Sequence, residues 1–168
     1  AHISVKPTQL GHDQDPEVCF RHCLALIERC EQTGTFLWID MESSGYVDGT
    51  LALYRRLRAR SDKVGVAIQS YLRRSDRDVD ELIGLGAAIR LVKGAYLEPP
   101  EVAYPRKAEV DATFLRLGRR ILEELREAGH VDLRERVLCR GCGGRVLSES
   151  DRCLLHGNTS AKRARSSS

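Results

Sequence analysis

A chain of 168 residues has room for one domain, or one and part of another. With 42% hydrophobic and 30% charged residues it has the composition of a globular protein, not of a disordered or fibrous one. The balance of 27 Lys+Arg against 24 Asp+Glu is too even for a chain-wide nucleic-acid footprint, no apolar run approaches the ~18 residues of a membrane span, and no signal peptide is expected at the start.

In chain order, four short apolar runs each precede a helical pattern. The runs are Ile3–Lys6, Phe36–Asp40, Val64–Gln69 and Ile89–Gly94. Each is too short for a globular helix and rich in β-branched residues, so each is predicted as a buried strand. After Pro16, the positions Cys19, Cys23, Leu26/Ile27 and Cys30 recur at helical spacing until Gly34. Buried thiols on the core face are the expectation for these cysteines, and His22 beside them is expected at the surface. A second helix is predicted over 50–60, with Leu51, Tyr54 and Leu57 on one face. Ser75 is predicted to cap a third, which carries Val79, Leu82, Ile83 and Leu85 and stops at Gly86. A fourth runs from near Arg106 through Val110, Phe114, Leu117, Ile121 and Leu125 to Gly129.

Strand then helix, four times over, means βα units on a parallel sheet. A doubly wound sheet would want a Gly-rich phosphate turn after an early strand, and Pro7-Thr8-Gln9-Leu10-Gly11 is not one. A (β/α)8 barrel wants functional residues at the C-terminal ends of several strands. Lys6, Asp40-Met41-Glu42, Gln69 and Lys93 stand there, and Arg90 lies inside an apolar strand pattern. The barrel fits better. A whole one takes roughly 250 residues, so residues 1–130 are expected to form about half, an incomplete (β/α)8 TIM barrel within the α/β class.

Adjacent parallel strands would let Lys6 and Asp40 meet as an ion pair, which could equally be a rim salt bridge without chemistry. Gln69 and Arg90 are harder to explain as structure. A strand-end amide can hydrogen-bond a flat heterocycle, and an arginine in an apolar strand needs an anion or an electron-rich ring, unless it points outward between helices. In Lys93-Gly94-Ala95-Tyr96, the small residues let a phosphate or ring approach the backbone. Arg106-Lys107 at a helix start suits a diphosphate or is simply solvated.

These residues carry a resemblance. Ile3-Ser4-Val5-Lys6-Pro7-Thr8-Gln9-Leu10-Gly11, Ile39-Asp40-Met41-Glu42, Val66-Ala67-Ile68-Gln69-Ser70-Tyr71-Leu72-Arg73-Arg74, Arg90-Leu91-Val92-Lys93-Gly94-Ala95-Tyr96-Leu97-Glu98 and Tyr104-Pro105-Arg106-Lys107 stand in an order that resembles the proline dehydrogenase family over about residues 1–130. That resemblance implies an FAD-dependent barrel enzyme that oxidises L-proline to pyrroline-5-carboxylate and passes electrons to a quinone. It implies Lys6 and Tyr96 beside the substrate, Asp40 as an active-site aspartate and Arg90 against the flavin N5 region. Met41, Gln69, Lys93, Gly94 and Ala95 would contact FAD, and Arg106 and Lys107 would reach its phosphates. A bacterial, cytoplasmic setting is implied, with peripheral attachment to the inner membrane as the variant.

The family pattern should go on to a Thr-His strand end, two last strands and a helix with paired arginines for the proline carboxylate. Arg119-Arg120 lies on the wrong helix for that role. Residues 1–130 resemble strands two to five of eight, so the chain alone is expected to oxidise little or no proline and to self-associate through open sheet edges.

Residues 131–168 read differently, with eight Lys+Arg against four Asp+Glu and three of the six cysteines. Cys139, Cys142, Cys153 and His156 have the residue types of a tetrahedral zinc site at short spacing. The favoured expectation is a disordered, non-native tail from a changed reading frame or a gene-end artefact, with no nucleic acid bound. The competing reading of the whole chain is a non-catalytic α/β module whose tail binds zinc or, weakly, nucleic acid.

Overall fold

A computed structural model describes residues 1–127. Ala1–Ile121 form one compact unit, and the described residues beyond it, 122–127, are the end of a helix. Cys139, Cys142, Cys153 and His156 therefore lie outside the described residues.

The described residues alternate strand and helix: β1 (His2–Val5), α1 (Pro16–Thr33), β2 (Phe36–Ile39), α2 (Val47–Arg58), β3 (Val64–Gln69), α3 (Ser75–Gly84), β4 (Ala88–Val92) and α4 (Lys107–Glu127). Short 3-10 turns at Pro7–Leu10 and Ser44–Tyr46 follow the first two strands. All three strand pairs are parallel, in the order β1-β2-β3-β4. This is the predicted parallel α/β arrangement.

Local chemistry sets the helix bounds. Asp15 caps α1 by accepting the Glu17 N–H at 2.8 Å, Pro16 starts it, and Gly34 ends it at φ 66° with its N–H on the Cys30 carbonyl. Ser75 departs from the prediction. It is the first residue of α3, not its cap, because its hydroxyl donates to the Gln69 carbonyl at 2.6 Å and closes the β3–α3 turn instead.

One face of the sheet is the core. Leu37, Ile39, Val64, Val66 and Ile68 are buried, as are Cys19, Cys23, Ile27 and Cys30 of α1 and Leu51, Tyr54 and Leu57 of α2. All of β3 is buried. β1 corrects the expectation of four buried strands: His2, Ile3 and Ser4 are exposed, because this strand has a neighbour on one side only. β4 is likewise half-buried.

The other face is concave. Ser4, Trp38, Gly65 and Ala88 lie in register across the sheet. In a flat sheet β1 and β4 would stand about 14 Å apart, three spacings of ~4.8 Å. Yet Arg90 of β4 donates to the Ser4 hydroxyl of β1 at 2.9 Å, so the sheet curls as a barrel wall does. Gly65 permits this: a Cβ there would run into the Trp38 ring and come within 2.8 Å of the Ala88 carbonyl.

Burial holds the Cys19, Cys23 and Cys30 thiols above their ordinary range, and Cys23, with Cys19 beside it, is pushed up to about 12 from 9.0. A raised folded-state value favours folding fully below pH 9, and that contribution fades as pH climbs toward 12. Unfolding free energy from urea titrations should therefore fall between pH 9 and 10 by up to about 1.4 kcal/mol per unit, and Cys23→Ala should flatten that slope. An unchanged slope in the variant would refute the assignment.

Candidate active site

Parallel strands put their C-terminal ends at one rim, where the loops gather. Lys6 and Asp40 each stand one residue beyond a strand, Gln69 closes β3, and Lys93 stands one beyond β4. The Asp40 N–H donates to the Val5 carbonyl at 2.8 Å, so β1 and β2 stay paired up to the rim.

Arg90 is the centre of the concave face. It sits opposite Ala67 in the ladder, forms an ion pair with Asp40, bonds Ser4, and lies 5.1 Å from the Trp38 ring centroid. The two charged side chains are 20% and 31% exposed, enough burial for their attraction to outweigh that of a surface pair. The predicted Lys6–Asp40 pair is not formed: Asp40 meets Arg90, and Lys6 is exposed with no salt bridge among the described residues. Curvature is the reason, since it brings a β4 side chain across the sheet to β1 and β2.

Gln69 is 2% exposed. Its Nε2 donates to the Met41 carbonyl at 3.1 Å, while its Oε1 is buried without a protein donor. Fixing the amide by that bond makes Oε1 an unsatisfied acceptor at the rim.

Lys93 pairs with Asp111 at 2.5 Å, and Lys107 reaches the other oxygen of the same carboxylate at 2.5 Å. Arg106, the residue before α4, folds onto Glu109 of that helix at 3.0 Å. Arg106 and Lys107, at the start of α4, are mostly exposed. Gly94, Ala95 and Tyr96 are exposed and Met41 is buried. Gly94 has φ 116°, and a Cβ there would run into the Tyr71 ring. Burial, then the charge of Glu98, pushes the Tyr71 phenol up to about 12.

Two carboxylates that the strand-end argument did not assign a role tie the rim loops together. Glu42 accepts from the Thr8 N–H at 3.0 Å and hydroxyl at 2.7 Å. Glu98 accepts from the Ser44 N–H and hydroxyl, both at 2.6 Å. The length of the 93–106 connection was the available signal, since connections of that length are uncommon unless functional. Trp38 and Ser4, the other contacts of Arg90, carried no signal in the sequence.

Among the described residues no helix is long and apolar enough to cross a membrane, and no group of three or more His, Cys, Asp or Glu could hold a metal.

The sequence profile of the family "Proline dehydrogenase" matches residues 1–133. Proline dehydrogenase 2 of Bacillus subtilis is 34% identical over 122 residues, which is 73% of this chain and 40% of that protein. Proline dehydrogenase of Deinococcus radiodurans is 39% identical over 121 residues, 69% of this chain and 39% of its own. Among solved structures, proline utilization A (PutA) from Bdellovibrio bacteriovorus inactivated by N-propargylglycine superposes with a TM-score of 0.64 at 27% identity, over 73% of this chain and 16% of that one. The chain thus spans about 40% of the length of the curated relatives it matches. With four parallel βα units, a charged concave face and a match over most of its length, the chain belongs to the proline dehydrogenase family.

Proposed function

We propose that this chain supplies part of the active site of an FAD-dependent enzyme that oxidises L-proline to pyrroline-5-carboxylate, with electrons passed on to a quinone. The observation that carries this reading is the Arg90–Asp40 pair on the concave face, with the unsatisfied Gln69 Oε1 at the same rim. Those groups fit a flavin. Gln69 offers an acceptor to a ring imide N–H, and Arg90 offers positive charge where a reduced ring is anionic. Met41, Lys93, Gly94 and Ala95 line the same strand ends and would hold the cofactor, with Arg106 and Lys107 toward its phosphates.

Proline must lose a hydride from the carbon beside its ring nitrogen and a proton from that nitrogen. FAD, when bound, is the hydride acceptor. The protein's part is placement and charge. Asp40 holds the Arg90 guanidinium in one orientation, and Ser4 and Trp38 support it from the strand side. Lys6 and Tyr96, both exposed, would meet the amino acid. We place the protein in the cytoplasm, where the buried thiols of α1 stay reduced, with peripheral membrane contact through the quinone partner.

Titration of the 168-residue chain with FAD tests this reading. Binding should quench Trp38, the sole tryptophan, and leave a visible flavin band on the protein after gel filtration. Proline-dependent reduction of a dye acceptor would establish turnover. A chain that retains no FAD refutes the assignment.

A further inference from the structure

The connection from β4 to α4 is 14 residues long, 93–106, and carries Gly94, Ala95 and Tyr96. Its second half is bound to the β3–α3 turn. The Arg73 N–H donates to the Val102 carbonyl at 2.9 Å, the Tyr104 N–H to the Tyr71 carbonyl at 2.8 Å, and Leu72 and Ala103 form an antiparallel bridge. Its first residue is bound too, since the Tyr71 N–H donates to the Lys93 carbonyl at 2.9 Å. Between these anchors the apex is open, and the Leu97 side chain is fully exposed.

Glu98 spans that gap. Directly after the apex, its side chain is bonded to another rim loop, through both carboxylate oxygens onto Ser44. Ser44 lies four residues after Asp40 and two after Glu42, and Glu42 is bonded onward to Thr8 in the first rim loop. Glu98–Ser44 and Glu42–Thr8 therefore close a belt through the loops that follow β1, β2 and β4, and the bonds to Tyr71 and Arg73 join the β3 loop to it. Hydrogen bonds to a carboxylate are stronger than neutral ones, and two onto one residue fix orientation as well as distance.

We infer that Glu98 is a positioning residue: it holds the 94–97 apex in register with the loop that carries Asp40, and so sets the geometry of the flavin site. The inference rests on the flavin reading above. Both carboxylate bonds of Glu98 run to Ser44, so its effect on the site passes through the two loops they join.

The test uses Glu98→Gln and Ser44→Ala in the 168-residue chain, with FAD titration, hydrogen exchange of the 93–106 peptide and of the Ser44 amide, and thermal melting. Glu98→Gln removes the charge and one of the two acceptor oxygens, so the Ser44 hydroxyl keeps a bond only by turning to accept from the amide, and both contacts lose their charge assistance. Exchange at 94–98 and at Ser44 should speed about tenfold, and FAD affinity should weaken about tenfold, with the melting temperature close to that of the parent. Ser44→Ala keeps the amide donor and should show a smaller effect. The two changes together should not add, because they break one interaction. Saturating FAD should restore protection in Glu98→Gln.

Exchange as slow as in the parent would overturn the latch. Faster exchange with parental FAD affinity would reduce Glu98 to a structural tie and overturn its positioning role, leaving the flavin reading intact. A parent chain that takes up no FAD would instead sink the flavin reading and this inference with it.

Discussion

Arg90→Met should weaken FAD binding by roughly a hundredfold, equivalent to about 2–3 kcal/mol, and should do so without unfolding the chain. The guanidinium joins four elements of the concave face: Ser4 on β1, Trp38 on β2, Asp40 beyond β2 and its own strand β4. Methionine matches the length of the arginine stem and fills much of its volume, so packing against Trp38 survives while the charge and both donor contacts are lost. Asp40 then keeps a half-buried carboxylate without its arginine, which repels electron density where the reading requires it to be stabilised. Arg90→Lys should recover part of the loss, since it restores a point charge without the planar fork. Equilibrium FAD titration followed through Trp38 measures both. Methionine and parent chains of equal affinity would remove Arg90 from the site, and a Met variant that melts far below the parent would make Arg90 a structural strut.

Gly94→Ala is expected to have the next largest effect, on both stability and binding. A φ of 116° lies where an L side chain is strained by about 1–3 kcal/mol. The added Cβ would also enter the Tyr71 ring, a side chain buried under the loop. Overpacking of that kind costs a further ~1–3 kcal/mol, because the ring must move or the loop must lift. Gly86→Ala is the control: at φ 59° it has open space around the new methyl, so it carries the backbone strain without the collision. The urea midpoint of Gly94→Ala should lie well below that of Gly86→Ala. Tyr71→Leu in the Gly94→Ala background should recover part of the difference, since it removes atoms the methyl strikes. Equal midpoints for the two alanine variants would show that Tyr71 does not constrain Gly94.

Much of the scaffold was legible in the chain. The β-branched runs, Pro16 and Gly34 around α1, and the spacing of Cys19, Cys23, Ile27 and Cys30 are short-range signals, and the structure realises them as parallel strands and buried helix faces. The strand-end polar residues were legible for the same reason: a charge directly after an apolar run has few structural explanations. The pairing of those residues was not. Lys6 and Asp40 come from adjacent strands and were natural partners, yet Asp40 is taken by Arg90 from two strands further on. Ser75 shows the same limit on a smaller scale, since a good capping residue was drawn into closing a turn onto Gln69.

Sequence alone determined the order of strands and helices, the family resemblance and which residue types stand at the rim, because propensity, capping and hydrophobic period act over a few residues of chain. Only the tertiary structure decided the partner of Asp40, the solitary oxygen of Gln69 and the belt through Glu42 and Glu98. Those depend on how sharply the sheet curls, and that follows from the space Gly65 leaves beneath Trp38, a contact between strands that no local pattern encodes.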